Sequence, residues 1–315
     1  MPERSTSGLH RLAVLTAAAT LGLLFVGGLV TSTGSGLAVP DWPLSFGRVF
    51  PPMVGGVLFE HGHRLVAAAV GLLTVTLALW TVVREPRPGV RALALLAVLA
   101  VVLQGVLGGV TVLYRLPLAV SVTHACLAQV FFCLTVALAV VTGREWERPS
   151  HGPGRPALAI LAAATTAVVF VQVFLGALMR HMGAGLAIPD FPLAFGRVIP
   201  PLVTPLIAVH FAHRLGAVAV TGAVGWTAVW VFRRHGDEAA LRRPALLAAA
   251  LLALQLLLGA FTIWSRRAVL PTTAHLVVGA GLLASCLVLA LRAAHRAPAD
   301  AVVSQPVDLR QRAVA

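Results

Sequence analysis

The chain has 315 residues, of which 58% are hydrophobic and 11% charged, with a net charge of +13 and a mean hydropathy of +0.91. Soluble domains carry about a quarter of their residues charged, so these values exclude an ordinary soluble protein and indicate an integral membrane protein. The 24 basic residues are all arginine and are scattered over short turns. Because they form no basic patch with interleaved aromatic residues, the sequence does not predict nucleic-acid binding.

Apolar runs occur eight times along the chain. A helix of about 20 residues crosses a bilayer core of about 30 Å, so we predict eight transmembrane helices. The runs lie at 12–31, 57–83, 92–113, 116–141, 157–179, 203–232, 244–264 and 270–291. The first run could be a cleaved signal peptide, but it leads into a loop whose copy follows an internal helix, so we interpret it as retained.

The arginines are unevenly divided between the two ends of these helices. The N-terminal segment, three turns and the C-terminal segment hold sixteen of them, and the opposite loops hold six. Under the positive-inside rule, the richer side faces the cytoplasm. We therefore predict a multi-pass protein of the cell membrane with both termini in the cytoplasm.

One loop sequence occurs twice in the chain. The stretches "GSGLAVPDWPLSFGR" at 34–48 and "GAGLAIPDFPLAFGR" at 183–197 match at eleven of fifteen positions. We call them the first lid and the second lid. Each follows an odd-numbered predicted helix on the side that the arginine count places outside.

The repeat extends into the helices. "EHGHRL" at 60–65 aligns with "HFAHRL" at 210–215, "QGVLGGVTV" at 104–112 aligns with "QLLLGAFTI" at 255–263, and His124 aligns with His275. Because each half has an even number of helices, both halves enter the membrane from the same side. The predicted fold is therefore an all-α integral membrane protein of eight transmembrane helices. They form two tandem four-helix bundles, residues 1–150 and 151–315, related by a pseudo-twofold axis along the membrane normal.

Each half carries two histidines near the lid ends of its helices. They are His63 and His124 in the first half and His213 and His275 in the second. Ionisable groups inside membrane spans are costly and indicate function, and paired imidazoles from facing helices commonly hold a haem iron. A zinc site would add a third ligand from Cys, Asp or Glu, and the second half has no carboxylate inside its spans. The remaining alternative is four packed, hydrogen-bonded histidines.

The two halves differ beside these histidines. Glu60, one turn from His63 on the same helix face, is replaced by His210 in the second half. A buried carboxylate is unfavourable unless it is paired, so we predict a reactive first half and a cofactor-holding second half. The alternative is that Glu60 forms an ion pair with Arg64 or Arg48 that only orients the lid.

The lids, "EHGHR" at the start of the second helix, "THA" in the fourth helix and their second-half copies resemble the haem A synthase family of the CtaA/COX15 type, over about 12–291. The resemblance implies a membrane oxidoreductase that oxidises the C8 methyl group of haem O to the formyl group of haem A, the prosthetic group of haem–copper terminal oxidases. It implies that His213 and His275 bind a haem b cofactor. It also implies that the substrate haem lies between His63 and His124, with Glu60 important for catalysis.

The resemblance also implies partners. Haem O is the expected substrate, haem O synthase and cytochrome oxidase assembly factors are the expected partners, and a homo-oligomer is compatible with the family. Four arginines near the lids are candidates for binding the haem propionates, with headgroup or loop pairing as the alternative. They are Arg64, Arg214, Arg48 and Arg197.

One departure from the family concerns cysteine. Many relatives carry a cysteine pair in the first outer loop, at the positions that here hold Val39 and Ser45. The three cysteines of this chain, Cys126, Cys133 and Cys286, fall inside the fourth and eighth helices. We therefore predict no disulfide in the lid and interpret the cysteines as small core residues.

Smaller features of the lids and helices also give expectations. Asp41 and Asp190 are expected to fix the lids through turn hydrogen bonds. The glycine pairs at 27–28 and 108–109 are expected to allow close helix packing. His61 is expected at the wet end of its helix.

Bis-histidine ligation fills both axial positions of an iron and favours electron transfer over oxygen activation. The sequence thus favours stepwise removal of electrons from the methyl group, with Glu60 stabilising positive charge or assisting the attack of water. Two other classes remain. A di-haem b electron-transfer subunit would use the same four histidines, and a transporter with parallel repeats would need a substrate path near the midplane.

Overall fold

The computed structural model describes residues 3–147 and 155–295, and within these ranges the chain is helical apart from its turns and lids. Eight helices are long and apolar enough to cross a membrane. They are α1 (Glu3–Ser32), α2 (Gly56–Arg84), α3 (Pro88–Leu113), α4 (Leu118–Val141), α5 (Pro156–His181), α6 (Pro205–Arg234), α7 (Ala239–Trp264) and α8 (Val269–Ala294). The prediction of an all-α membrane protein with eight spans is confirmed.

Most helices begin and end within five residues of the predicted apolar runs, but α1 begins nine residues earlier than predicted, at Glu3. Proline occupies the first turn of α3, α5 and α6, where its missing N–H is not needed. The side chain of Thr204 caps α6 by accepting a hydrogen bond from the backbone N–H of Ile207. Both α4 and α6 begin two residues later than predicted, because residues 117 and 204 still belong to the preceding turn or loop.

Each half forms a closed ring of four helices. In the first half, successive helices contact one another and α1 contacts α4; in the second half, α5 contacts α8 in the same way. The halves meet along a seam where α4 contacts α8, α1 contacts α8, and α4 contacts α5. Exchanging the two halves maps these contacts onto one another, which is consistent with the predicted pseudo-twofold relation.

The apolar cores fill the part of each bundle that lies away from the lids. In the first half the core includes Leu77, Phe131 and Leu138, each at most 2% exposed. In the second half Cys286 is 3% exposed within the core and Cys133 packs against it, as predicted for these cysteines. All three cysteines are free. This distribution leaves the lid ends of the bundles to polar residues.

Ion pairs close the end opposite the lids. Arg87 donates to both carboxylate oxygens of Glu85 at 2.7 and 2.9 Å, and these hydrogen bonds hold the pKa of Glu85 below its usual value. Arg292 of α8 pairs with Glu145, in the single turn that follows α4, at 3.0 Å. The second of these pairs ties the two halves together.

Candidate functional site

The two lids share one fold, which an aspartate organises. The carboxylate of Asp41 accepts hydrogen bonds from the backbone N–H groups of Phe46 and Gly47 at 2.7 and 2.8 Å. Asp190 does the same in the second lid, at 2.8 Å for both bonds. These amides hold the pKa of Asp41 and of Asp190 below the usual value. The predicted role of the two aspartates is confirmed.

An arginine clamps each lid onto the helix that follows it. Arg64 of α2 donates to the carbonyl oxygens of Asp41 and Leu44, both at 2.8 Å. Arg214 of α6 donates to the carbonyl oxygens of Asp190 and Leu193 at 2.6 and 2.8 Å. The structure thus places two of the four candidate propionate-binding arginines, Arg64 and Arg214, against the lids. Their role towards a haem stays a prediction.

Glu60 is buried, at 4% exposure, and both of its carboxylate oxygens are engaged. One accepts a hydrogen bond from the guanidinium of Arg64 at 2.8 Å, and the other accepts from the backbone N–H of Val39 at 2.9 Å. The ion pair considered as an alternative in the sequence analysis is therefore present. It offsets the desolvation of the carboxylate and leaves Glu60 on the same helix as His63.

The expectation that His61 lies at the wet end of its helix is wrong. Its side chain is 5% exposed, because the first lid folds over the start of α2 and covers it. The hydroxyl of Ser45 lies 2.8 Å from Nδ1 of His61, in a buried hydrogen bond. The repeat-equivalent residues of the second half, Ala194 and Phe211, have no groups that could form this bond.

Each predicted histidine ligand packs on a glycine of the preceding helix. A Cβ atom on that glycine would lie 3.0 to 3.3 Å from the imidazole Cε1, closer than most real contacts. The pairs are Gly27 with His63, Gly108 with His124, Gly176 with His213 and Gly259 with His275. These glycines leave room for the imidazoles. The prediction of close helix packing is confirmed for Gly27, Gly28 and Gly108, whereas a Cβ at Gly109 would lie 2.6 Å from Trp42 of the first lid.

The two predicted histidine ligands of the second half lie next to each other. The rings of His213 and His275 have centroids 6.4 Å apart and planes inclined at 73°. Two metal–nitrogen bonds of about 2.0 Å, with about 1 Å from each nitrogen to its ring centre, span about 6 Å. In the first half, His63 and His124 pack on Gly27 and Gly108 in the same way as the second-half histidines pack on their glycines. The second pair thus has the separation for one iron between two imidazoles.

The chemistry of these pairs favours iron over zinc. In residues 3–147 and 155–295, no three side chains of His, Cys, Asp or Glu gather as metal ligands, whereas a zinc site would need at least three. The Nδ1 atoms of all four histidines are buried without a partner in the described part of the chain. Two neutral imidazoles per half are the donor set of a haem site.

Three glutamines beside the histidines were missed by the sequence analysis. Each lies one turn before the glycine that receives the imidazole, and its side-chain nitrogen lies 3.3 to 3.5 Å from the histidine Nε2. They are Gln104, Gln172 and Gln255. The recurring Q-x-x-x-G spacing in apolar helices was the available signal. At the equivalent position before Gly27 the chain has Leu23 instead of a glutamine. Of the four histidines, His63 alone therefore lacks a neighbouring glutamine.

Comparison with known proteins agrees with this geometry. The family model COX15-CtaA, described as a cytochrome oxidase assembly protein, matches residues 54–287. The chain is 36% identical over 256 residues to the heme A synthase of Symbiobacterium thermophilum, covering 78% of this chain and 82% of the relative. It is 32% identical over 225 residues to the heme A synthase of Shouchella clausii, covering 68% and 73%. The heme A synthase of Halalkalibacterium halodurans is 31% identical over 242 residues, covering 72% and 77%. With its eight spans and a family match over residues 54–287, the chain belongs to the COX15-CtaA family.

Proposed function

We propose that this protein is a haem A synthase, a multi-pass membrane oxidoreductase that converts the C8 methyl group of haem O to the formyl group of haem A. Membership of a family whose curated relatives bear that name is the observation that carries the proposal. Two histidine pairs under two lids support it, since each half then has the ligands for one haem.

The second half, residues 151–315, is the cofactor half. His213 and His275 would hold the iron of haem b, and their ring separation of 6.4 Å supports this assignment. When bound, haem b supplies a one-electron redox centre beside the substrate half. The two imidazoles pack against Gly176 and Gly259, which limits their movement. The side-chain nitrogens of Gln172 and Gln255 lie 3.5 and 3.3 Å from the Nε2 atoms of these histidines.

The first half, residues 1–150, is the substrate half. His63 and His124 receive haem O, and Glu60 is the carboxylate on the helix of His63. Arg64 pairs with this carboxylate at 2.8 Å and fixes its position. Its negative charge stabilises positive charge that develops at the oxidised methyl carbon or holds the water that attacks it.

The lid end of the bundles faces the outside of the cell and both termini face the cytoplasm, which the distribution of arginines supports. Haem O synthase and cytochrome oxidase assembly factors are the partners that such an enzyme requires for supply and delivery. A homo-oligomer is compatible with this arrangement.

The test is production of the protein in a host that makes haem O but lacks its own haem A synthase. Extracted haems are resolved by chromatography and identified by their pyridine haemochrome spectra. We expect haem A only when the protein is present, and none with the matched variant His63→Ala. Two haem b groups per chain with haem O unchanged would instead assign the protein to the di-haem electron-transfer class.

A further inference from the structure

Two arginines at the lid end of the second half have no counterpart in the first half. Arg180 lies in the last turn of α5, and Arg267 lies in the turn between α7 and α8. The repeat-equivalent residues of the first half are Thr31 and Leu116. The four-helix rings, the lids and the lid-clamping arginines occur in both halves, so this pair of charges is a specific difference between them.

Arg180 crosses the seam between the halves. Its guanidinium donates to the carbonyl oxygen of Gly28 at 3.0 Å and to the hydroxyl of Ser32 at 2.8 Å, both on α1. Both acceptors are neutral. Within residues 3–147 and 155–295, no carboxylate forms an ion pair with Arg180. The charge of this partly buried guanidinium therefore lacks a counter-ion.

Arg267 brings a second charge to the same region. Its backbone lies in the left-handed region, with φ of 67°, and its side chain approaches Gly185 of the second lid, where an added Cβ would lie 3.4 Å from Cδ. In the first half, Leu116 has φ of 60° and approaches Gly36 at 3.6 Å in the same way. The turn therefore has the same backbone conformation in both halves, but only the second half places a positively charged side chain, that of Arg267, against its lid.

Side-chain contacts place Arg180 near both the turn of Arg267 and the start of α8. Arg267 approaches Gly185, five residues after Arg180. Ser32 accepts hydrogen bonds both from Arg180 and from Thr273, which lies two residues before His275. Like charges repel, and the repulsion is stronger where the surroundings are partly shielded from water. A bound anion between them would relieve this repulsion. Arginine is well suited to carboxylates, because its planar guanidinium can donate two parallel hydrogen bonds.

We propose that Arg180 and Arg267 form a carboxylate-binding site for the two propionates of the porphyrin held by His213 and His275. This inference rests on the proposed function, since it assumes a porphyrin in the second half. The first half lacks the site, so its porphyrin is retained less firmly. The asymmetry gives a cofactor that stays in the second half and a substrate that enters and leaves the first.

The test compares iron protoporphyrin IX with its dimethyl ester, which has no free carboxylates. The full-length chain carries His63→Ala, so that the first-half pair is incomplete, and is purified in detergent from cells that make no haem. Binding is followed by Soret absorbance. Each charge-assisted hydrogen bond changes affinity by about tenfold or more, so we expect the diacid to bind about a hundredfold more tightly than the diester.

The double variant Arg180→Gln, Arg267→Leu removes both charges, keeps an amide donor for the Gly28 carbonyl and places at 267 the residue type found at 116. We expect its ratio of diester to diacid dissociation constants to fall at least tenfold, with diester binding unchanged. Arg266→Leu is the matched control, because Arg266 lies in the same turn with φ of 53° and has the counterpart Arg115 in the first half. This control should keep the parent ratio.

A fall of less than tenfold in the double variant overturns the proposal, and this includes the case in which the arginines bind lipid phosphate instead of the porphyrin. The ratio is measured within one protein, so partial loss of folding changes both affinities and leaves the ratio intact. Failure of the proposed function is distinct. If the His63→Ala chain discriminates diacid from diester but the unaltered chain makes no haem A in the haem O-producing host, this site is retained and the synthase activity is rejected.

Discussion

Glu60 and His210 accept a hydrogen bond from the same amide of their respective lids. The backbone N–H of Val39 donates to the Glu60 carboxylate at 2.9 Å, and that of Ile188 donates to Nδ1 of His210 at 3.2 Å. The position therefore anchors a lid in both halves. Only in the first half does it carry a negative charge, which Arg64 balances. Variants of Glu60 must separate these two roles.

Replacing Glu60 by glutamine separates them. The amide oxygen of Glu60→Gln can still accept from the Val39 N–H, but the charge is lost. We expect haem content to be preserved and conversion of haem O to fall by about a hundredfold or more, the range for loss of an acid–base group. The measurement is haem A formed per chain in the haem O-producing host. His210→Gln, the matched control in the second half, should retain activity, and full conversion by Glu60→Gln would assign the residue to the lid alone.

Gly27→Ala should disable the first half selectively. The new Cβ would lie 3.0 Å from Cε1 of His63, so the imidazole must move from its position. We expect haem b to remain at its full amount while haem A formation is lost, as measured by the absorption spectrum of the purified protein and by haem extraction. Gly22→Ala is the control on the same helix, because nothing lies within 4 Å of its Cβ.

The corresponding change in the second half, Gly176→Ala, places a Cβ 3.1 Å from Cε1 of His213. Here we expect the opposite result, with loss of haem b from the purified protein. If the two alanine variants gave the same haem spectrum, the assignment of one haem to each half would be wrong.

The stability of the folded first lid should depend on pH only in the acidic range. The amides of Gly47 and Phe46 hold the pKa of Asp41 below its ordinary value of 3.8. Because the folded pKa is depressed, the stabilisation is fully present above 3.8 and is lost as pH falls through the folded pKa. Hydrogen-exchange protection of the two amides, corrected for intrinsic rates, measures this. Protection of the two amides should be constant from neutral pH to about pH 5. In the variant Asp41→Asn, this protection should be weaker and independent of pH. Loss of protection near neutral pH would contradict this account.

The buried pair Ser45 and His61 gives a test with a distinctive order of effects. Ser45→Ala leaves the His61 imidazole buried without its partner, which is more costly than losing a hydrogen bond whose two partners are removed together. The double variant Ser45→Ala, His61→Phe reproduces the second half, with its Ala194 and Phe211. We expect the single variant to lower the free energy of opening of the first lid by about 1 to 3 kcal/mol. The double variant should recover part of this loss. Amide exchange of the first lid measures it, and the second lid is the internal reference. A double variant weaker than the single variant would contradict this explanation.

The transmembrane helices could be predicted from the sequence because a span is fixed by the length of an apolar run, which is a local property. The four histidines could be singled out equally well, because ionisable groups at repeat-equivalent depths inside apolar helices are costly and indicate function. The aspartates of the lids followed from their turn sequences.

The burial of His61 could not be predicted in the same way. Its neighbours in sequence place it at the start of a helix, and only the return of the first lid over α2 encloses it. The direction of Arg64 and Arg214 was also inaccessible, because a long flexible side chain can reach either a ligand or a lid carbonyl from the same helix position. These features depend on how separate segments fold together and not on any local pattern.

The seam between α1 and α8 has a consequence for biosynthesis. The helix α1 leaves the ribosome before α8 and packs against it, and Ser32 of α1 accepts a hydrogen bond from Thr273 of α8 at 2.9 Å. The helix α8 also closes the second ring and brings His275 to His213. A chain stalled after α7 therefore has neither a complete second site nor a finished seam, and insertion of the eighth span completes both at once.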